Sequence, residues 1–102
     1  MPQPPRISAL LPVEVELQKE RASGLRRTGD KVEKALESLA QAEQALRAST
    51  GAAREACLVR YRERYQEAER QRWNLMVQRE AVGMRNHRDL DVVYPMPPKW
   101  RG

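Results

Sequence analysis

Apolar residues recur at every seventh position along the first half of the chain. The positions between them hold mainly Lys, Glu, Gln, Arg and Ser, as the solvent-exposed face of a helix requires. A seven-residue repeat is typical of a long helix that packs lengthwise on another helix. We therefore predict a first helix over about residues 13–48. Its repeat consists of Leu11, Gln18, Leu25, Val32, Leu39 and Leu46, five of which are apolar.

A short turn separates this helix from a second one. Residues 48–51 read Ala-Ser-Thr-Gly, which combines a glycine that ends one helix with hydroxyl side chains that begin the next. We predict the second helix over about residues 52–88, antiparallel to the first because the connection is so short. Its apolar seam is Leu58, Tyr61, Tyr65, Ala68, Leu75 and Val82, with Arg72 and Arg79 at two positions where apolar residues are expected.

The turn also sets a register. If it centres on Gly51, the numbers of facing residues sum to about 100. The predicted pairs are Leu39 with Tyr61, Val32 with Ala68, and Leu25 with Leu75.

Prolines bound the hairpin on both sides. Three of the first five residues are prolines, and three more follow residue 94, so neither end can continue a helix. We predict an extended leader over residues 1–12 and a proline-rich, extended tail over residues 91–102. Residues 13–90 then form one all-α unit, a long antiparallel two-helix hairpin of the coiled-coil kind. Tyr94 and Trp100 are expected to pack on this hairpin or on a partner.

Two glycines interrupt the first helix. Gly24 and Gly29 each cost about 1 kcal/mol of helix stability relative to alanine. One interpretation is a kink or a break near Gly29, with Asp30 capping a restarted helix. The other is that the glycines make room for a bulky group opposite, and the predicted register places them across from Trp73.

The end of the second helix carries more apolar surface than one neighbour can cover. Trp73, Met76, Val77 and Met84 form a second apolar stripe beside the seam. A second neighbour is therefore expected, and a chain this small buries little surface alone. The candidates are the leader through Ile7, Leu10 and Leu11, the tail, or a second copy of the chain in a homodimer.

Composition and charge change this interpretation little. Charged residues make up 32% and aromatic residues 5% of the chain, as is typical of long helices. We interpret the formal net charge of +5 as that of a solvated helical surface in preference to a binding surface for nucleic acid. The most basic cluster, residues 60–65, alternates arginines with Tyr61 and Tyr65. A nucleic-acid-associated basic helical module is therefore the alternative function, through phosphate contacts and base stacking.

No catalytic, metal or cofactor motif is present in the sequence. His87 is the only histidine and Cys57 the only cysteine. On one helix they would lie about 45 Å apart, too far to act together. We expect no enzymatic activity, no cofactor and no small-molecule substrate. The single cysteine favours a reducing, cytoplasmic setting, and no stretch is long enough and apolar enough to predict a membrane span.

Residues 73–89, which read Trp-Asn-Leu-Met-Val-Gln-Arg-Glu-Ala-Val-Gly-Met-Arg-Asn-His-Arg-Asp, resemble a block in a family of short, uncharacterised bacterial helical-hairpin proteins. In that family the block lies late in the second helix. The resemblance covers less than a fifth of the chain and implies no activity. It draws attention to Gln78, Arg79, Glu80, Gly83 and Arg85.

Arg79 lies at a seam position, so we expect it to be partly buried and paired. Glu16, Glu20 or an acid of another subunit are the candidate partners, and such a pair often sets register. The sequence thus predicts a non-enzymatic interaction or structural protein that works through self-association or a protein partner. The candidate interaction residues are Trp73, Met76, Val77, Gln78, Arg79, Glu80, Gly83, Met84 and Arg85.

Overall fold

The computed structural model describes residues 12–100, and the predicted leader lies outside this range apart from Pro12. Three helices follow one another: α1 (Pro12–Ala48), α2 (Ala52–Ala81) and α3 (Leu90–Val93). Helices α1 and α2 pack along each other as an antiparallel hairpin, and the described residues contain no strand. The predicted all-α hairpin is confirmed. No described helix has the length and hydropathy that crossing a membrane requires.

Helix α1 is continuous through both of its glycines, so the predicted break near Gly29 is not found. Gly29 does make room for a bulky group, but the group is Tyr94 and not Trp73. A Cβ atom at Gly29 would lie 2.9 Å from the Tyr94 hydroxyl oxygen, whereas one at Gly24 would meet nothing within 4 Å. The prediction that Trp73 fills this space is wrong, because Trp73 is exposed to solvent.

The core divides into two clusters along the hairpin. The cluster near the turn contains Leu39 and Tyr61, and the one toward the opposite end contains Leu75 with Leu25 packed against it. These two predicted pairs share a cluster. Val32 and Ala68 do not, because Val32 packs with Leu75 and Leu90 in the second cluster. The turn-side cluster is Ala35, Leu39, Ala42, Leu46, Tyr61, Tyr65 and Ala68.

Helix α2 ends at Ala81, seven residues before the predicted end near residue 88. Gly83 adopts a left-handed conformation with φ of 92°. Its amide donates to the Glu80 carbonyl at 3.0 Å, and the Met84 amide donates to the Arg79 carbonyl at 2.9 Å. This pair of bonds is a Schellman motif, which satisfies the last carbonyls of a helix and turns the chain away from its axis.

After this stop the chain doubles back along the hairpin as a third layer, the returning segment, residues 84–100. Its helix α3 buries Leu90 against Val32 and Leu75. Farther on, Met96 and Trp100 pack on the turn-side cluster. The predicted alternative in which Tyr94 and Trp100 pack on the hairpin is therefore confirmed.

The last part of the returning segment, residues 95–100, has no helix or strand. Its path can be measured against α1, because Tyr94 contacts Gly29 and the Trp100 ring lies beneath the Arg47 guanidinium. The rise along α1 from Gly29 to Arg47 is about 27 Å. The chain from Tyr94 to Trp100 spans at most about 20 to 22 Å even when fully extended. The side chains of Tyr94 and Arg47 bridge the remaining distance, and an extended conformation of residues 95–100 fits this path.

The two α1 glycines provide a matched pair of substitutions. We expect Gly24→Ala to raise the free energy of unfolding by about 1 kcal/mol, the helix-propensity difference, because its new methyl group meets nothing. Gly29→Ala should gain less, since its methyl group displaces the Tyr94 hydroxyl. Urea unfolding measures both. In a Tyr94→Phe background the two alanine substitutions should raise the free energy of unfolding equally. A difference that persists there would show that Gly29 does not serve to make room for the Tyr94 hydroxyl.

Candidate functional site at the distal end of the hairpin

Arg79 is the central side chain of the distal end, the end of the hairpin opposite the turn. It is 6% exposed, as its seam position predicts. Its Nη2 atom donates to both carboxylate oxygens of Asp89, at 2.8 and 2.9 Å, and lies 3.5 Å from the Asn86 carbonyl oxygen. The predicted partners Glu16 and Glu20 are wrong. The returning segment supplies the acid because the chain reverses immediately after α2.

Two further polar pairs join α2 to the returning segment. Arg72, the other arginine of the seam, donates from Nη2 to Asp91 Oδ1 at 2.9 Å. His87 Nε2 lies 3.1 Å from Glu80 Oε1. Together with the Arg79–Asp89 pair we call these contacts the distal clamp. The three pairs hold residues 87–91 to the second half of α2, with one partner of each pair before the reversal at Gly83 and the other after it.

An apolar anchor lies inside the clamp. Leu90, between the two clamp aspartates, is 3% exposed and packs with Val32 and Leu75. The alternation Asp89-Leu90-Asp91 thus directs one apolar side chain inward while its neighbours reach the arginines. A helix of four residues cannot persist without such support, because helix nucleation is costly.

The two arginine pairs differ in burial. The Arg79 side chain is 7% exposed and that of Arg72 is 18% exposed, while both aspartates face solvent. The Arg72 pair is also less complete, since Arg72 Nε is buried without a hydrogen-bond partner among the described residues. The hydrogen bond from Arg79, which outweighs desolvation, holds the pKa of Asp89 below its ordinary value. Asp89 is therefore the aspartate on which the distal end depends more strongly.

A cleft of about 270 Å³ opens beside the clamp, between α1 and the returning segment. Its wall is mostly apolar, and Arg26 is the charged residue that α1 contributes to it. Met84 lines this cleft together with Val93 and Tyr94. The full lining is Leu25, Arg26, Gly29, Leu75, Arg79, Met84, Asp89, Leu90, Val93 and Tyr94.

The predicted second stripe does not form one surface. Met76 is half-buried against the Leu75 and Leu90 cluster, and Met84 lies beyond the end of α2 in the cleft. Only Trp73 and Val77 remain together, one turn apart on α2, and we call this pair the outer face. They are 63% and 47% exposed. Met76 thus packs on the cluster that contains Leu90, just before the predicted tail, whereas the outer face stays open.

The remaining candidate residues have separate positions. Gln78 accepts a hydrogen bond from the buried Thr28 hydroxyl at 2.8 Å, which ties α2 to α1. Glu80 belongs to the clamp, Gly83 forms the helix stop, and Arg85 is exposed. The roles of Asp89, Leu90 and Asp91 were not predicted from the sequence. The signal for them was an acid-apolar-acid triplet close in sequence to two arginines that needed partners.

The described residues contain no group of acidic, histidine and cysteine side chains suited to a metal ion. The basic cluster predicted as a nucleic-acid contact is divided by the fold. Arg60 and Arg64 are exposed, whereas Tyr61 and Tyr65 are core residues that the returning segment covers. Base stacking on these two tyrosines would require the returning segment to leave.

Comparison with family models, with curated proteins and with solved structures found no match to this chain. What the protein does is therefore inferred from its own geometry.

The clamp predicts a specific response to acid. Because the pKa of Asp89 is lowered in the folded protein, its pair with Arg79 stabilises the fold above the unfolded-state pKa, about 3.9. That contribution is lost as the pH falls through the folded-state value. We expect Asp89→Asn to lower the free energy of unfolding at pH 7 more than Asp91→Asn does. Urea unfolding at pH 7 and at pH 3 measures both.

As the pH falls through the folded-state pKa of Asp89, the stability of the Asp89→Asn variant should converge on that of the wild type, since protonation removes the same charge. Asp91→Asn serves as the matched control, because its partner Arg72 is less buried. A constant gap between Asp89→Asn and the wild type at both pH values would contradict the assignment of Asp89 as the acid that supports Arg79.

Proposed function

We propose that this protein is a non-enzymatic helical interaction protein that self-associates through the outer face of α2. The observation that carries the proposal is the exposure of Trp73, at 63%, with Val77 one turn away. Tryptophan is among the residues that contribute most to binding at protein interfaces. Leaving so large an apolar ring in water is unfavourable unless another surface covers it.

The distal clamp supports this proposal because it stiffens the helix that presents the outer face. Arg72 and Glu80 are fixed by residues of the returning segment on either side of Trp73 and Val77 in the sequence. A rigid presenting surface loses less conformational entropy on binding. Two copies related by a two-fold axis would pack identical tryptophan faces together, the commonest arrangement of a homodimer.

The proposal includes a coiled-coil-like pairing of hairpins and a cytoplasmic setting. Cys57, the one cysteine of the chain, is free and half-buried, which suits a reducing compartment. Each side chain of the clamp pairs with another clamp side chain, and this favours a structural role over a catalytic one. The pairs of the distal clamp would then position the outer face for its apolar contact with the second copy.

Light scattering over a range of concentrations tests self-association. We expect the mass of the wild-type chain to rise from that of the 11.8 kDa monomer toward twice that value. Trp73→Gln should weaken association by about 30-fold, which corresponds to the loss of about 2 kcal/mol at an interface hot spot. Val77→Gln should weaken it less, because it removes less apolar surface.

Val59→Gln is the matched control for these variants. Val59 lies on the same helix and is 46% exposed, almost the same fraction as Val77, but it is about four to five turns from the residues of the outer face. It should leave the association unchanged. A monomer at every concentration, or an equal effect of Val59→Gln and Val77→Gln, would reject the outer face as the interface.

A further inference from the structure

The groove that holds residues 95–100, which we call the strap, is built from two tyrosines of α2. The Tyr65 hydroxyl donates to the Pro97 carbonyl oxygen at 2.8 Å, and the Trp100 amide donates to the Tyr61 hydroxyl oxygen at 2.8 Å. Both bonds go to main-chain atoms of the strap. The tyrosine rings meet edge to face, with centroids 6.0 Å apart, so each positions the other.

The Trp100 ring at the end of the strap has a seat of its own. The guanidinium carbons of Arg47 and Arg54 lie 4.7 and 5.4 Å from the ring centroid. Tyr61 meets the same ring edge to face at 6.5 Å. Beside it, the Lys99 ammonium lies 5.0 Å from the Tyr65 ring centroid. The strap thus ends in a cation and an aromatic ring, and each has a matched partner in the groove.

We propose that this groove is a recognition site for extended, proline-rich segments that end in a basic and an aromatic residue. Its partner is another protein that carries such a segment, and the strap is the occupant that the chain itself provides. This inference concerns a different surface from the outer face and does not depend on self-association.

The chemistry of the groove favours this class of occupant. The two tyrosine hydroxyls form hydrogen bonds with main-chain atoms, which every peptide has. Proline-rich segments of different sequence can therefore form the same two bonds. Prolines restrict the unbound segment to extended conformations and lower the entropy lost on binding. The seat between Arg47 and Arg54 adds the requirement for an aromatic ring, through cation–π attraction.

The strap can leave the groove without undoing the distal end. Its anchors are the polar and ring contacts of residues 97–100 and the packing of Met96 on the turn-side cluster, whereas the clamp holds the separate residues Asp89 and Asp91. Its departure would uncover Tyr61 and Tyr65, which are 2% and 9% exposed. Burial raises the pKa of Tyr65, with contributions from Glu69 and Tyr61, as expected for a covered ring. An open groove would thus expose aromatic surface that a competing segment can cover.

A labelled peptide with the sequence of residues 94–102 tests the groove in the full-length chain. Trp100→Ala weakens the strap's own hold, so we expect this variant to bind the peptide at least tenfold more tightly than the wild type, measured by fluorescence anisotropy. A second peptide, Tyr-Pro-Ala-Pro-Pro-Arg-Trp, keeps only the pattern and should bind comparably. A scrambled peptide of the same composition should not bind.

Further variants identify the site that the peptide occupies. Adding Tyr65→Phe to Trp100→Ala removes one hydrogen bond to the peptide. The affinity for the peptide should fall by about fivefold to tenfold, which corresponds to the free energy of a typical single hydrogen bond. Adding Trp73→Gln, on the outer face, should change nothing. Circular dichroism establishes that each variant keeps its helix content.

Absence of peptide binding to a fully helical Trp100→Ala variant would overturn the proposal. If the peptide binds the wild type as tightly as it binds Trp100→Ala, the strap does not occupy the peptide's site. If the scrambled peptide binds as tightly as the original one, the groove does not require the proposed sequence pattern. Either result also overturns it. Self-association through the outer face could fail while the peptide still binds, so the two proposals are distinguishable.

Discussion

The fold depends on a buried arginine in an apolar seam. Arg79 lies where a hydrophobic residue would complete the packing of two helices, and a buried guanidinium needs a carboxylate nearby to offset its lost hydration. Neither hairpin helix provides that carboxylate. The chain therefore has to return to α2 after leaving it, and the helix stop at Gly83 places Asp89 where Arg79 can reach it. The third layer follows from this requirement.

Once Asp89 is in place, the rest of the returning segment is constrained. Leu90 enters the cluster of Val32 and Leu75, which closes the end of the core that two helices alone would leave open. Tyr94 then lies against Gly29, where any larger residue would crowd its hydroxyl. From there the strap reaches the tyrosines near the turn. A chain of this size gains a core with three layers, where a simple hairpin would have two.

The sequence predicted the hairpin, its turn and most of its seam, because heptad spacing and the turn residues are local signals. It also identified Arg79 as buried and in need of a partner. It did not predict the end of α2, because Gly83 stops the helix although the next residues favour a helix. It consequently did not predict Asp89 as the partner of Arg79. Contacts between residues far apart in sequence determine these features, and a local sequence pattern does not show them. The position of Trp73 is a second example. Its size suggested burial opposite the glycines, yet Tyr94 occupies that place and Trp73 faces solvent.

The segment containing Asp89 and Leu90 is, on these grounds, a stable part of the fold that Arg79 holds in place. Amide hydrogen exchange at Tyr94 tests it most directly, because this amide donates to the Leu90 carbonyl at 2.8 Å and closes the four-residue helix. A four-residue helix has no stability of its own. If the clamp and Leu90 hold α3 in place, the Tyr94 amide exchanges far more slowly than in an unstructured peptide. Exchange at the rate of an unstructured peptide, while the amides of α1 and α2 stay protected, would contradict it.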